Sequence, residues 1–141
     1  METRIFTDIE VVNRVWVESY VIESIEAFDA EVLQITGDRG NPEYLRIDIQ
    51  FIAPHYIACA TWFEGEVRWR MASEQETQMV CLAYTDSGQT NVYCIEENFE
   101  AFTPHPPREP RKFFVAAGSV QIRVSYGGDN IDELLKLNKF K

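Results

Sequence analysis

Leu45, Ile47, Ile49 and Phe51 alternate with Arg46, Asp48, Gln50 and Ile52, and the same period returns where Val120, Ile122, Val124 and Tyr126 alternate with Ser119, Gln121, Arg123 and Ser125. Successive side chains of an extended chain point to opposite sides, so a two-residue period specifies strands with one buried face. Other segments carry the same signature between turn residues. Glu31 to Thr36 holds Val32 and Ile35 and stops at the turn-rich stretch Gly37 to Pro42, the mark of a hairpin. Pro54 is expected to end the strand that begins at Leu45, and Tyr56 to Phe63 resumes as an apolar run. After a turn at Glu64 and Gly65, Val67, Trp69 and Met71 share one face, opposite Glu66, Arg68 and Arg70. Met79 to Tyr84, apolar on both faces, reads as a central strand, followed by a turn over Thr85 to Gln89 and a strand over Asn91 to Ile95.

Helices are expected at the two ends. Ile9, Val12, Trp16 and Tyr20 recur at helical spacing behind Asp8, which can cap, so a helix is expected to about Ser19, with extended chain from Tyr20 to Ile25 where β-branched residues gather. Asn130 and Glu133, ahead of Ile131, Leu134 and Leu135, form a capping box for a short terminal helix, with Lys136, Lys139 and Lys141 towards its C-terminal end. The fold class expected is mainly β (β-rich α+β). It is an antiparallel sandwich or curved sheet of about seven to nine short strands with an N-terminal helix and a short C-terminal helix. A chain of 141 residues buries roughly 70% of its unfolded surface, enough for one globular domain spanning residues 1–141.

Charge narrows the function. With 23 carboxylates against 13 lysines and arginines the net charge is −10, which repels phosphate backbones and anionic membranes, so neither nucleic acid nor membrane is an expected partner. No signal peptide and no long uncharged apolar window is seen, which reads as cytoplasmic. Cys59, Cys81 and Cys94 sit in apolar runs without CxxC spacing and read as buried thiols. His55, Cys59 and His105 lack metal-ligand spacing, and no Gly-x-Ser-x-Gly or glycine-rich phosphate cradle occurs. No metal, cofactor or catalytic residue is therefore assigned.

Two function classes compete. The first is a non-enzymatic acidic module that binds a basic protein partner through Glu64, Glu66, Glu96, Glu97 and Glu100 with an exposed aromatic near Trp62. Trp62 and Phe63 are adjacent, so in a strand one of them faces outward. A possible docking loop adds to it, because Thr103 to Lys112 concentrates prolines, with Pro107 and Pro110 at polyproline-ligand spacing ahead of Arg111 and Lys112. The second class is a small-molecule-binding protein or enzyme with Trp62, Trp69, Tyr84 or Tyr93 lining a pocket of roughly 300 Å³ or more. Strand edges also make a homodimer conceivable.

The stretch Phe28-Asp29-Ala30-Glu31-Val32-Leu33-Gln34-Ile35 resembles the Phe-His-Asp-Ala-Glu-Val-Leu strand opening of a bacterial immunity-protein family, the fiftieth of the polymorphic-toxin immunity series, with Phe63-x-Gly65-x-Val67 as a second echo. The histidine between Phe and Asp is missing here. The resemblance implies a small β-rich protein that neutralises a cognate toxin by binding it, and it assigns no functional residue.

Overall fold

The structure, a computed structural model, describes residues 2–15, 17, 19–26, 32–38, 44–60, 62–64, 66–83, 90–98, 111–128 and 130–136. Among them lie strands β1 (Glu2–Phe6), β2 (Ser19–Glu26), β3 (Val32–Asp38), β4 (Leu45–Ala58), β5 (Trp62–Glu64), β6 (Glu66–Met71), β7 (Asn91–Asn98) and β8 (Arg111–Tyr126). A 3-10 helix spans Ile9–Arg14, and two α-helices follow, α1 (Glu74–Ala83) and α2 (Ile131–Lys136).

All pairings are antiparallel, in the order β5-β2-β3-β4-β8-β7-β6, with β1 also on β8. The two ends of that order are neighbours in the chain, since only residue 65 separates Glu64 from Glu66. In a flat sheet six strand spacings would hold them about 29 Å apart. Two residues of extended chain reach about 7 Å at most. The sheet therefore curls until its ends meet, and of the two architectures expected it is the curved sheet that forms.

Inside the curl the alternating residues become the core. Leu33 and Ile35 of β3, Leu45, Ile47, Ile49 and Phe51 of β4, Val67 and Trp69 of β6, and Ile122 and Val124 of β8 are all fully buried. A smaller cluster lies on the outer face, where Val80 of α1 packs with Val92, Cys94, Phe114 and Ala116. β6, at one end of the strand order, meets a side chain from the 3-10 helix. The Asn13 carboxamide donates from Nδ2 to the Trp69 carbonyl at 2.7 Å and accepts the Trp69 N–H at Oδ1 at 2.8 Å, taking the place of a strand partner.

Several expectations are corrected. The N-terminal α-helix is absent: β1 comes first, and the helical turns are a six-residue 3-10 segment ending at Arg14. The cap is where the sequence put it, with Asp8 Oδ1 accepting from Glu10 N–H at 3.0 Å. Crowding among Val11, Val12, Val15 and Val17 disfavours longer helix, and Asn13 is committed to β6. Met79 to Ala83 is helix, not strand. Ser73 and Glu76 form a reciprocal capping box, Ser73 N–H to Glu76 Oε1 at 2.8 Å and Glu76 N–H to Ser73 Oγ at 3.2 Å, and of the apolar run Val80 is buried while Met79 and Cys81 are exposed. Tyr84 and the expected turn over Thr85 to Gln89 lie outside the described residues.

Pro54 does not end β4, which continues to Ala58 through a register shift between Pro54 and Tyr56, just after Ala53 at φ 54°. β5 pairs with β2 and β6 with β7, so these neighbouring strands are not ladder partners, and Gly65 of the expected turn lies outside the described residues. α2 forms as expected, Asn130 Oδ1 accepting from the N–H groups of Asp132 at 2.9 Å and Glu133 at 3.4 Å.

Gly37 belongs to β3 rather than to the turn after it. A Cβ there would lie 2.7 Å from Tyr20 Cδ1 and 3.0 Å from Val17 Cγ2, so the glycine lets the buried Tyr20 ring lie against the backbone. Gly37→Ala is expected to destabilise by about 1–3 kcal/mol through overpacking. The check is a lower urea midpoint at unchanged m-value, and an unmoved midpoint would mean that the ring swings aside freely.

Candidate functional site

The register places a row of side chains on the outer face of the sheet: Trp62 opposite Val21, Val21 opposite Thr36, Thr36 opposite Asp48, and Asp48 opposite Arg123. The middle of this row is satisfied internally. Asp48 Oδ1 accepts from Thr36 Oγ1 and Arg46 Nε, each at 2.9 Å, and from Gln34 Nε2 at 3.4 Å, while Gln50 Nε2 donates to Gln34 Oε1 at 2.9 Å. These groups have spent much of their bonding capacity on one another.

The Trp62 end differs. Trp62 is 52% exposed and its cross-strand partner Val21 47%, so two large apolar side chains stand together in solvent while adjacent Phe63 is fully buried in the core. The parity of Trp62 and Phe63 along β5 accounts for this division. The sequence around Val21 is acidic. Between Arg14 and Arg39 the chain carries Glu18, Glu23, Glu26, Asp29, Glu31 and Asp38 and no lysine or arginine, and this stretch forms β2 and β3. Glu64 stands in register with Ser19 of β2, and Glu66, opening β6, is exposed. The apolar pair thus belongs to a part of the chain whose sequence is acidic.

Two of the acids named from sequence are not part of a free surface. Arg70 holds Glu96 through Nη2 at 2.5 Å and Nε at 2.6 Å, and grips Glu76 of α1 through Nη1 at 2.7 Å and Nη2 at 2.9 Å. Lys112 Nζ adds a contact to Glu76 at 3.5 Å. The Arg70 guanidinium holds the Glu76 carboxyl well below the usual carboxylate range, and the Glu76 and Glu96 carboxylates raise Arg70 in return. Glu97 is buried and bonded to the Arg111 guanidinium, whose carbon lies 5.5 Å from the centre of the Phe113 ring. Arg111 and Lys112 are residues of β8, in register with Glu97 and Glu96, and so belong to the sheet rather than to a docking loop. Glu100, Pro107 and Pro110 lie outside the described residues, as does His105.

The remaining candidates separate. Trp69 is a core residue with its ring 5.0 Å from that of Tyr20, whose hydroxyl burial pushes up. Tyr93 borders an open cleft of about 320 Å³ at the junction of β1, β7 and β8. Burial pushes the thiols of Cys59 and Cys94 up to about 11, which suits small apolar groups rather than nucleophiles, whereas Cys81 is exposed, contrary to expectation. His55 is an exposed residue of β4. Among the described residues no group of three His, Cys, Asp or Glu side chains is arranged to hold a metal ion, and no helix is long and apolar enough to cross a membrane. No protein-family model, curated protein or solved structure matches the chain.

Proposed function

We propose that this chain is a non-enzymatic, acidic protein-interaction module that docks a basic protein partner on the outer face of β5, β2 and β3. The observation that carries the reading is the exposed Trp62–Val21 pair beside a hairpin segment rich in carboxylates and free of lysine and arginine. The two features have different jobs. A half-exposed tryptophan is the residue type most often found as an interface anchor, typically worth at least about 2 kcal/mol when buried by a partner. The carboxylates steer: an acidic surface raises the association rate of a basic partner and depends on salt while doing so. The likeness of Phe28 to Ile35 to an immunity-protein strand supports the same reading, because those residues fall in the β2–β3 segment and such proteins act by binding a toxin.

The test is a comparison of three proteins as bait in host lysate, with kinetics on the captured partner. The native chain should retain a basic protein at low salt and release it as salt rises. Trp62→Ala should weaken that complex about 30-fold or more, mainly through faster dissociation, at unchanged thermal stability because the side chain is exposed. Glu66→Lys, at an exposed acid, should slow association instead. A complex equally tight with Trp62→Ala, or an on-rate indifferent to salt, refutes the reading.

A further inference from the structure

β8 is covered on one side by two different strands. β7 pairs with Arg111–Ala117 and β1 with Ile122–Tyr126, which leaves Gly118 to Gln121 between the end of one neighbour and the start of the next. The wall of the curled sheet changes character there. Val115 and Ala117 face the core and so do Val120 and Ile122, so the inward parity of β8 switches at Gly118 and Ser119. Across the β4 pairing, between Ile52 opposite Ser119 and Pro54 opposite Ala117, stands Ala53 in the left-handed region at φ 54°. A non-glycine residue held there costs free energy that a regular ladder would avoid, and such strain gathers at binding sites.

We infer that the cleft at this junction is a binding site for an uncharged, hydrogen-bonding small molecule about the size of one ring system. Its volume of about 320 Å³ sits at the lower end of the range for ligand pockets. Thr7, Asn91, Tyr93, Ser119 and Gln121 bring three hydroxyls and two carboxamides to it, and Ile5, Ile52 and Val120 supply apolar contact. Ile5, 54% exposed on the rim, is an apolar side chain without cover. Asn91 Nδ2 donates to the Gly118 carbonyl at 3.1 Å, fixing the carboxamide on one wall. Burial raises the Tyr93 hydroxyl and a hydrogen bond from the Asn91 side chain opposes this, leaving a neutral phenol near pH 7. Among the described residues no lysine or arginine lines the cleft to hold an anion, in a chain of net charge −10, and no carboxylate lines it to hold a cation.

The chemistry is that of a neutral ring bearing both donors and acceptors, which monosaccharides and nucleosides share. Trp62 and Val21 are not among the residues that line the cleft, so it stands or falls independently of the protein-docking surface.

The test is ligand-observed NMR on the full chain with neutral hexoses and N-acetylhexosamines in one arm and neutral nucleosides in the other. Sugar phosphates and nucleoside monophosphates serve as charged counterparts. A ligand of this size in an open cleft is expected to bind with a dissociation constant on the order of 1 mM. Ser119→Trp, at an exposed position on the wall, should fill the cleft and weaken binding at least tenfold without lowering the thermal midpoint, and Thr7→Trp fills it from the opposite side should the first variant not fold. Saturable binding of either neutral class, lost in the filled variant, supports the site and identifies its source. Absence of binding from both arms overturns it, as does binding that survives filling, or phosphates bound as tightly as their neutral parents.

Discussion

Asn13→Leu is expected to lower the unfolding free energy by about 3 kcal/mol, although it replaces a polar side chain by an apolar one of similar size at a buried position. The reason is the pair of hydrogen bonds to the Trp69 backbone. An isolated carboxamide bond contributes little net stability, but here both the N–H and the C=O of Trp69 lie against a core from which water is excluded. Removing the partner leaves a donor and an acceptor unmatched, each costing about 1–3 kcal/mol. Asn13→Asp separates the two bonds. The carboxylate can accept from the Trp69 N–H but cannot donate to its carbonyl, and it introduces a buried charge. Its folded-state pKa is raised by burial, so the deficit relative to Asn13 should shrink as pH falls and the group protonates. Guanidinium unfolding of the three proteins, with hydrogen exchange at the Trp69 amide, measures the effect. Full protection of that amide in Asn13→Leu would show that another group takes over the edge.

Arg70→Met is expected to cost about 2–3 kcal/mol, because one guanidinium satisfies two carboxylates, Glu96 on β7 and Glu76 on α1, and its loss leaves both without their main partner. Helix α1 should fray first, since the outer cluster that otherwise holds it contributes a single buried helix residue among those described, Val80. The same contact predicts a pH dependence. Glu76 has its folded-state pKa depressed below its ordinary value of 4.5, so its contribution is fully present well above pH 4.5 and is lost progressively as pH falls below it. Glu76→Gln removes that contribution at every pH. Urea unfolding at pH 7 and pH 3 should therefore show a smaller drop for the variant than for the native chain, and equal drops would assign the acid sensitivity to other carboxylates.

How much of this was legible depended on the range of the interaction involved. Leu45 to Phe51 announces its strand because the two-residue period is local and every odd position meets the core. The caps at Asp8 and Asn130 are equally local, and both were readable. Helix α1 was misread because a short apolar run does not distinguish a buried strand from a helix, although the Ser73–Glu76 capping box ahead of it held the answer. Parity along β5 correctly implied that one of Trp62 and Phe63 is exposed. Val21, its partner in the patch, was out of reach because only the β2–β5 register brings it there. Glu96 and Glu97 looked like free acidic surface for the same reason: the arginines that neutralise them come from β6 and β8, through pairings that no local pattern reveals.

The pairing of β1 with β8 also sets the order in which the molecule can assemble. Glu2 lies opposite Tyr126 and Phe6 opposite Ile122, so β1 has no ladder partner until some 120 further residues exist. At translation rates of about 5–20 residues per second, that wait lasts roughly 6–24 s, far longer than a hairpin such as β3–β4 needs to form. The segment that contributes Ile5 and Thr7 to the cleft is thus made well before its ladder partner and is among the last to find its place. In the interval it is an unpaired strand in a nascent chain, open to chaperones, proteases and other nascent chains, and the charges of Glu2 and Arg4 are what discourage it from pairing with the wrong edge.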